Sequence, residues 1–174
     1  MMGVAMPPLR PADRDAFVRR FGHVFEHSAW VVERAWRLAP PETLAALCAA
    51  FEVVLASATP QERLTLLRAH PRLADKLAIQ QGLTAESTAE QASAGLDRLS
   101  PKEFATFLEL NQRYEARFGF PFIICARLHT KTEIIAALHA RLDGAPEVEL
   151  REALSQVSKI SRLRLEDVLR TNPR

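Results

Sequence analysis

Apolar residues recur at helical spacing along almost the whole chain. Phe17, Val18 and Phe21 line one face of a first stretch, which opens near Pro11 with Asp13 and Asp15 in its first turn and ends at Gly22. Trp30, Val31, Ala35 and Leu38 line a second, stopped by Pro40 and Pro41. Pro41 opens a third, through Leu44, Leu47, Cys48, Phe51, Val54 and Leu55. Thr59-Pro60-Gln61-Glu62 is a capping box with proline at the first helical position, and its helix runs through Leu64 and Leu67 to His70. Leu73 to Gln81 predicts a short helix with Gly82 as its C-cap. Another spans Thr84 to Leu96. Ser100-Pro101-Lys102-Glu103 repeats the capping box and starts a long helix with Phe104, Phe107, Leu108 and Tyr114 inward, ending near Gly119. Thr130 and Glu133 cap the next, which stops at Gly144. Pro146 starts the last, with Leu150, Leu154, Val157, Ile160 and Leu163 inward, to about Leu169.

No stretch alternates with a period of two, and no repeat or low-complexity linker interrupts the pattern. The expectation is an all-α fold: a single domain over residues 1–174, a compact bundle of about seven to nine helices, with residues 1–10 flexible.

Composition changes this picture little. A chain of 174 residues can bury one core. A formal charge of +2 is too small to point to nucleic acid. The basic run Lys159, Arg162, Arg164 is diluted by Glu166 and Asp167. Cys48 and Cys125 are far apart, not a metal or redox pair, and read as buried thiols of a reducing compartment. No stretch is apolar enough to span a membrane, and the start carries no secretory pattern. The expected location is the cytoplasm, with neither nucleic acid nor membrane as partner.

Chemistry enters at three places. Pro71 biases His70 out of helical geometry, so the imidazole is delivered at a helix end. It either satisfies terminal carbonyls there or faces a pocket. Ser87-Thr88-Ala89-Glu90 has the form of a capping box, so Ser87 could cap a helix while Glu90 faces a pocket beside Gln91. Phe120 to Ala126 is apolar and bears Pro121, and it reads as an extended connection lining a pocket. His23-Val24-Phe25-Glu26-His27 spells a zinc pattern, H-x-x-E-H, but the distant third ligand such sites need is not apparent. No metal is expected.

Taken together, the motifs resemble one family. His70-Pro71-Arg72-Leu73-Ala74-Asp75-Lys76, Ser87 to Leu96, Phe118 to Arg127, Lys159 to Leu165 and Phe25 to Trp30 match, in order, the 2-oxo-4-hydroxy-4-carboxy-5-ureidoimidazoline (OHCU) decarboxylases of urate breakdown. The resemblance implies a cofactor-independent carboxy-lyase that forms (S)-allantoin, a small-molecule substrate (OHCU), a helical fold and a homodimer. It implies His70 and Glu90 as catalytic; the chemistry of the reaction suggests His70 as the general acid/base, with Glu90 orienting it near the departing carboxylate. It implies substrate contacts from Pro71, Ser87, Thr88, Ala89 and Gln91, and a pocket wall of Phe122, Ile123, Ile124, Cys125 and Ala126, with Phe122 stacked on the heterocycle. The matching substrate arginine is Arg164, with Arg162 two residues away in the same run. The family run H-P-D-L-A-G-K here carries Arg72 and Asp75, which are spaced to pair with each other. That swap leaves open a decarboxylase of another ureido-heterocycle. A catalytically silent helical binding module is the alternative of another class.

Overall fold

The computed structural model describes residues 13–38, 43–74 and 83–171. Among them are eight α-helices and two 3-10 turns, and no strand. The fold is all-α. The expected helix over Leu73–Gln81 with Gly82, the proline stop at 40–41, Pro11 and residues 1–10 lie wholly or largely outside the described residues.

The chain forms two compact units, residues 1–63 with 158–174, and residues 64–157. In the first lie α1 (Arg14–Phe21), a 3-10 turn (Gly22–Val24), α2 (Trp30–Trp36) and α3 (Leu44–Ser57). Asp13 caps α1 by accepting from Ala16 N–H at 2.7 Å, so it stands before the helix and not in its first turn. Thr43, rather than Pro41, caps α3, accepting from Ala46 N–H at 3.1 Å. Phe17 packs on Phe21 and Trp36, and Phe25 meets Phe51 edge-on at 4.9 Å. α2 packs on both α1 and α3. Phe17, Phe21, Phe25 and Phe51 are buried, and each contributes roughly 1.5–3 kcal/mol of transfer free energy.

α4 (Pro60–Arg68) has the capping box expected of it: Thr59 Oγ1 accepts from Glu62 N–H at 3.2 Å, and Glu62 accepts from Thr59 N–H at 2.9 Å. The second unit holds α5 (Ala85–Ser93), α6 (Pro101–Phe118), a 3-10 turn (Ala126–Leu128) and α7 (Lys131–Leu142). It also holds α8 (Pro146–Thr171) as far as Val157. Reciprocal capping boxes start α6, at Ser100 and Glu103, and α7, at Thr130 and Glu133. Each is worth about 1 kcal/mol.

Leu38, expected on the apolar face of the second helix, lies beyond the end of α2 and is exposed. Two further expectations fail. Leu108 is exposed; the inward stripe of α6 is Phe107, Leu110, Asn111 and Tyr114. In α5 the cap is Thr84, whose Oγ1 accepts from Ser87 N–H at 3.2 Å, so Ser87 lies inside the helix and is buried. Both residues can cap. The one chosen lets the helix begin a turn earlier and turn Ser87 and Gln91 inward together.

Candidate functional site

Arg68 is the last residue of α4, and the chain leaves the helix toward Pro71. His70 is buried, and its Nδ1 lies 3.1 Å from the Leu66 carbonyl oxygen. A carbonyl only accepts, so Nδ1 carries the proton and donates. In the neutral ring Nε2 then holds the lone pair. The carbonyl-cap reading of His70 is met at Nδ1.

Beyond Pro71 the backbone is held tightly. Arg72 pairs with Glu115 of α6 at 2.5 Å, and the pairing expected with Asp75 falls on a residue outside the described ones. Ala74 has φ +57°, the left-handed region, which costs a non-glycine residue about 1–2 kcal/mol. Neighbouring groups enforce it. Ala74 N–H donates to Gln91 Oε1 at 3.1 Å, and Asn111 Nδ2 donates to the Leu73 carbonyl at 2.8 Å. These are the two polar ends of one peptide group, gripped by side-chain amides from α5 and α6.

The grip settles how Gln91 is turned. Its oxygen must meet the N–H, so its Nε2 faces the other way. That nitrogen is buried and has no hydrogen-bond partner among the described residues. A buried donor left unpaired costs about 1–3 kcal/mol, which an acceptor on a ligand would recover. Ser87 is buried one turn before Gln91 on α5, and Glu90 is half-buried beside it. Thr88 and Ala89 are exposed. Gly95, at φ +79°, ends the element, where Leu96 N–H returns to the Gln91 carbonyl at 3.0 Å.

α5 packs against the 3-10 turn Ala126–Leu128, which brings it to the end of the expected wall. Phe122, Ile123, Ile124 and Cys125 are buried in a non-helical run, and Ala126, which opens the 3-10 turn, is buried too. The wall is held from behind. Arg141 Nη1 donates to the Ile123 carbonyl at 2.8 Å, and its guanidinium lies 4.5 Å from the centroid of the Phe122 ring. Gln156 Oε1 accepts from Cys125 N–H at 2.9 Å, while its Nε2 donates to Glu152 at 2.7 Å. Glu149 receives both Arg141, at 2.7 Å, and the Tyr114 hydroxyl. Burial, then the hydrogen bond to Glu149, pushes the Tyr114 phenol well above its ordinary range, so it stays protonated.

This corrects one expectation. Phe122 is 1% exposed, with Arg141 over its face and Tyr114 edge-on at 5.2 Å. Its ring belongs to the core and is not open for stacking on a heterocycle.

Arg164 is in the other unit. It is buried, and its Nη1 donates to buried Glu26 at 2.9 Å. Arg162 is exposed, 3.4 Å from Glu166. Burial singles out Arg164 of the two. It also shows Glu26 of the H-x-x-E-H run engaged by an arginine, while His23 and His27 are exposed.

The residues that sequence reasoning missed are Asn111, Arg141, Gln156 and Glu26. Asn111 had a usable signal. It lies four residues from Phe107 and three from Tyr114, on the stripe that faces inward.

The OHCU decarboxylase family model matches residues 10–166. The chain belongs to the OHCU decarboxylase family.

Among curated relatives, the 2-oxo-4-hydroxy-4-carboxy-5-ureidoimidazoline decarboxylase of Halalkalicoccus jeotgali is 39% identical, over 97% of this chain and 93% of that protein. That of Haloferax volcanii is 41% identical, over 88% and 89%. A crystal structure of (S)-allantoin synthase matches 90% of this chain and 50% of that one, with a TM-score of 0.71 and 31% identity. Family membership accounts for the pattern of motifs; the contacts above are those of this chain. Among the described residues no single helix is long and apolar enough to cross a membrane.

Proposed function

We propose that this protein is an OHCU decarboxylase. It converts 2-oxo-4-hydroxy-4-carboxy-5-ureidoimidazoline to (S)-allantoin in urate degradation. The observation that carries the reading is family membership over nearly the full length of its decarboxylase relatives. The arrangement of His70 and Gln91 around the 70–74 segment supports it.

The chemistry needs no borrowed electron sink. The carbon that loses CO2 carries a hydroxyl and adjoins a ring C=N; the electron pair of the breaking C–C bond forms a C=C bond to the ureido-bearing carbon, giving an enol, while the C=N pair moves to the ring nitrogen, which takes up a proton. The hydroxyl then gives up its proton, and the carbon bearing the ureido group receives one. His70, with Nδ1 fixed on Leu66, presents Nε2 as the base and acid for these transfers. Glu90 orients His70 and places a second negative charge near the departing carboxylate.

The Nε2 of Gln91 is a donor and meets an acceptor, a ring or ureido oxygen or nitrogen. Ser87 holds the same group, with Pro71, Thr88 and Ala89 contributing at the rim. The wall from Phe122 to Ala126 acts through its backbone, held by Arg141 and Gln156. Arg164 enters as a substrate ligand on the sequence resemblance, with Glu26 fixing its guanidinium. Because the substrate supplies its own electron sink, the reaction calls for no metal or organic cofactor. The same resemblance extends to a homodimer, while charge and hydropathy favour a cytoplasmic protein with no nucleic-acid or membrane partner.

The test is to generate OHCU in situ from urate with urate oxidase and hydroxyisourate hydrolase, add the protein, and follow optical rotation. A fast one-handed signal is expected. Slow racemic decay alone, with folded protein present, overturns the reading.

A further inference from the structure

Gln91 is useful as a donor only while its amide stays in one of two orientations. Flipped, it would place its oxygen where the unpartnered Nε2 now lies and its NH2 at Ala74 N–H, donor against donor. What forbids the flip is the position of that N–H. The Leu73–Ala74 peptide carries it, and the peptide is held in place at its other end by Asn111 Nδ2, 2.8 Å from the Leu73 carbonyl. Asn111 is 6% exposed, on the buried stripe of α6, and touches the loop only three residues beyond His70. The strained φ of Ala74 shows that the peptide would turn elsewhere without such a hold.

We propose that Asn111 is a positioning residue for the reaction, acting through the Leu73–Ala74 peptide to fix the orientation of the Gln91 amide and the course of the chain after His70. It touches neither reacting atom. It determines that the site offers a donor, and so that the group bound against Gln91 must be an acceptor. The inference rests on the decarboxylase reading, and wild-type turnover of OHCU, measured first, separates the two.

The experiment is a double-mutant cycle on kcat/KM and on the enantiomeric purity of the allantoin formed. Asn111→Asp keeps the shape and removes the donor. It is expected to lower kcat/KM by about tenfold or more, the equivalent of one hydrogen bond, and to erode enantiomeric purity. In a Gln91→Leu background the same change is expected to have little further effect, because the group it acts through is gone. Equal losses in both backgrounds, with purity unchanged, would make Asn111 merely structural and overturn the proposal.

A measurement on the wild-type protein covers the case in which a variant does not fold. The Gln91 side-chain NH2 pair is expected to be resolved from solvent-exposed glutamines in a 1H–15N spectrum and to shift when (S)-allantoin is added. A Gln91 pair averaged with the exposed ones and indifferent to (S)-allantoin overturns it equally.

Discussion

His70 Nδ1, two residues past the end of α4, donates to the Leu66 carbonyl in that helix's last turn at 3.1 Å. One local contact thus chooses the tautomer of the proposed catalytic base. In the neutral ring the 15N spectrum of His70 should show a protonated Nδ1 and an unprotonated Nε2. His70→Asn should keep the fold and lose about 100- to 10,000-fold in kcat, the usual contribution of general acid–base catalysis. Full rate and stereochemistry in that variant would remove His70 from the mechanism.

Glu26 and Arg164 are both buried and hydrogen-bonded to each other. Removing one leaves the other charge uncompensated, at about 3–5 kcal/mol. Glu26→Ala should lower the urea midpoint accordingly. Replacing both with leucine should cost less stability than Glu26→Ala alone, while still abolishing any grip of Arg164 on substrate.

Gly119 ends α6 at φ +77°, and a Cβ there would meet only Arg68 Nη2 at 3.6 Å, an ordinary contact. Gly119→Ala should therefore cost about 1–2 kcal/mol through the backbone alone. Ala74→Gly, at φ +57°, should run the other way and hold or raise stability. Thermal unfolding of the two variants checks the opposite signs.

Glu62 and Glu103 are held down to about 2, Glu62 chiefly by hydrogen bonds from Arg34 and Thr59, and Glu103 by those from Lys131 and Ser100. An unfolded glutamate titrates near about 4.3. Both pairs thus stabilise the fold fully above that value, and the contribution disappears as pH falls through about 2. Urea midpoints measured from pH 5 to pH 2 should decline, and Glu103→Gln should flatten part of that decline.

Losing the Ile123 anchor should act on binding more than on folding. Arg141→Met keeps an apolar stem over Phe122 but removes the donor to the Ile123 carbonyl. KM for OHCU should rise, with kcat less affected. An unchanged KM would mean that the wall does not depend on Arg141.

Helix ends were readable in the residues because capping is local. Thr59, Ser100 and Thr130 each need only the residue three positions on, and all three caps form as spelled. Helical spacing likewise determined the all-α class and the inward places of Phe107 and Tyr114. Local rules failed where two local solutions compete. Thr84 and Ser87 can both cap, and burial of Ser87 with Gln91 favours Thr84. Only the tertiary structure decided that Asn111 and Gln91 close on one peptide, that Arg141 covers the ring of Phe122, and that Arg164 rather than Arg162 is buried against Glu26. Each of these joins groups distant in sequence. Their hydrogen-bonding demands can be met only by a partner that packing brings within reach, and no spacing along the chain encodes that partner.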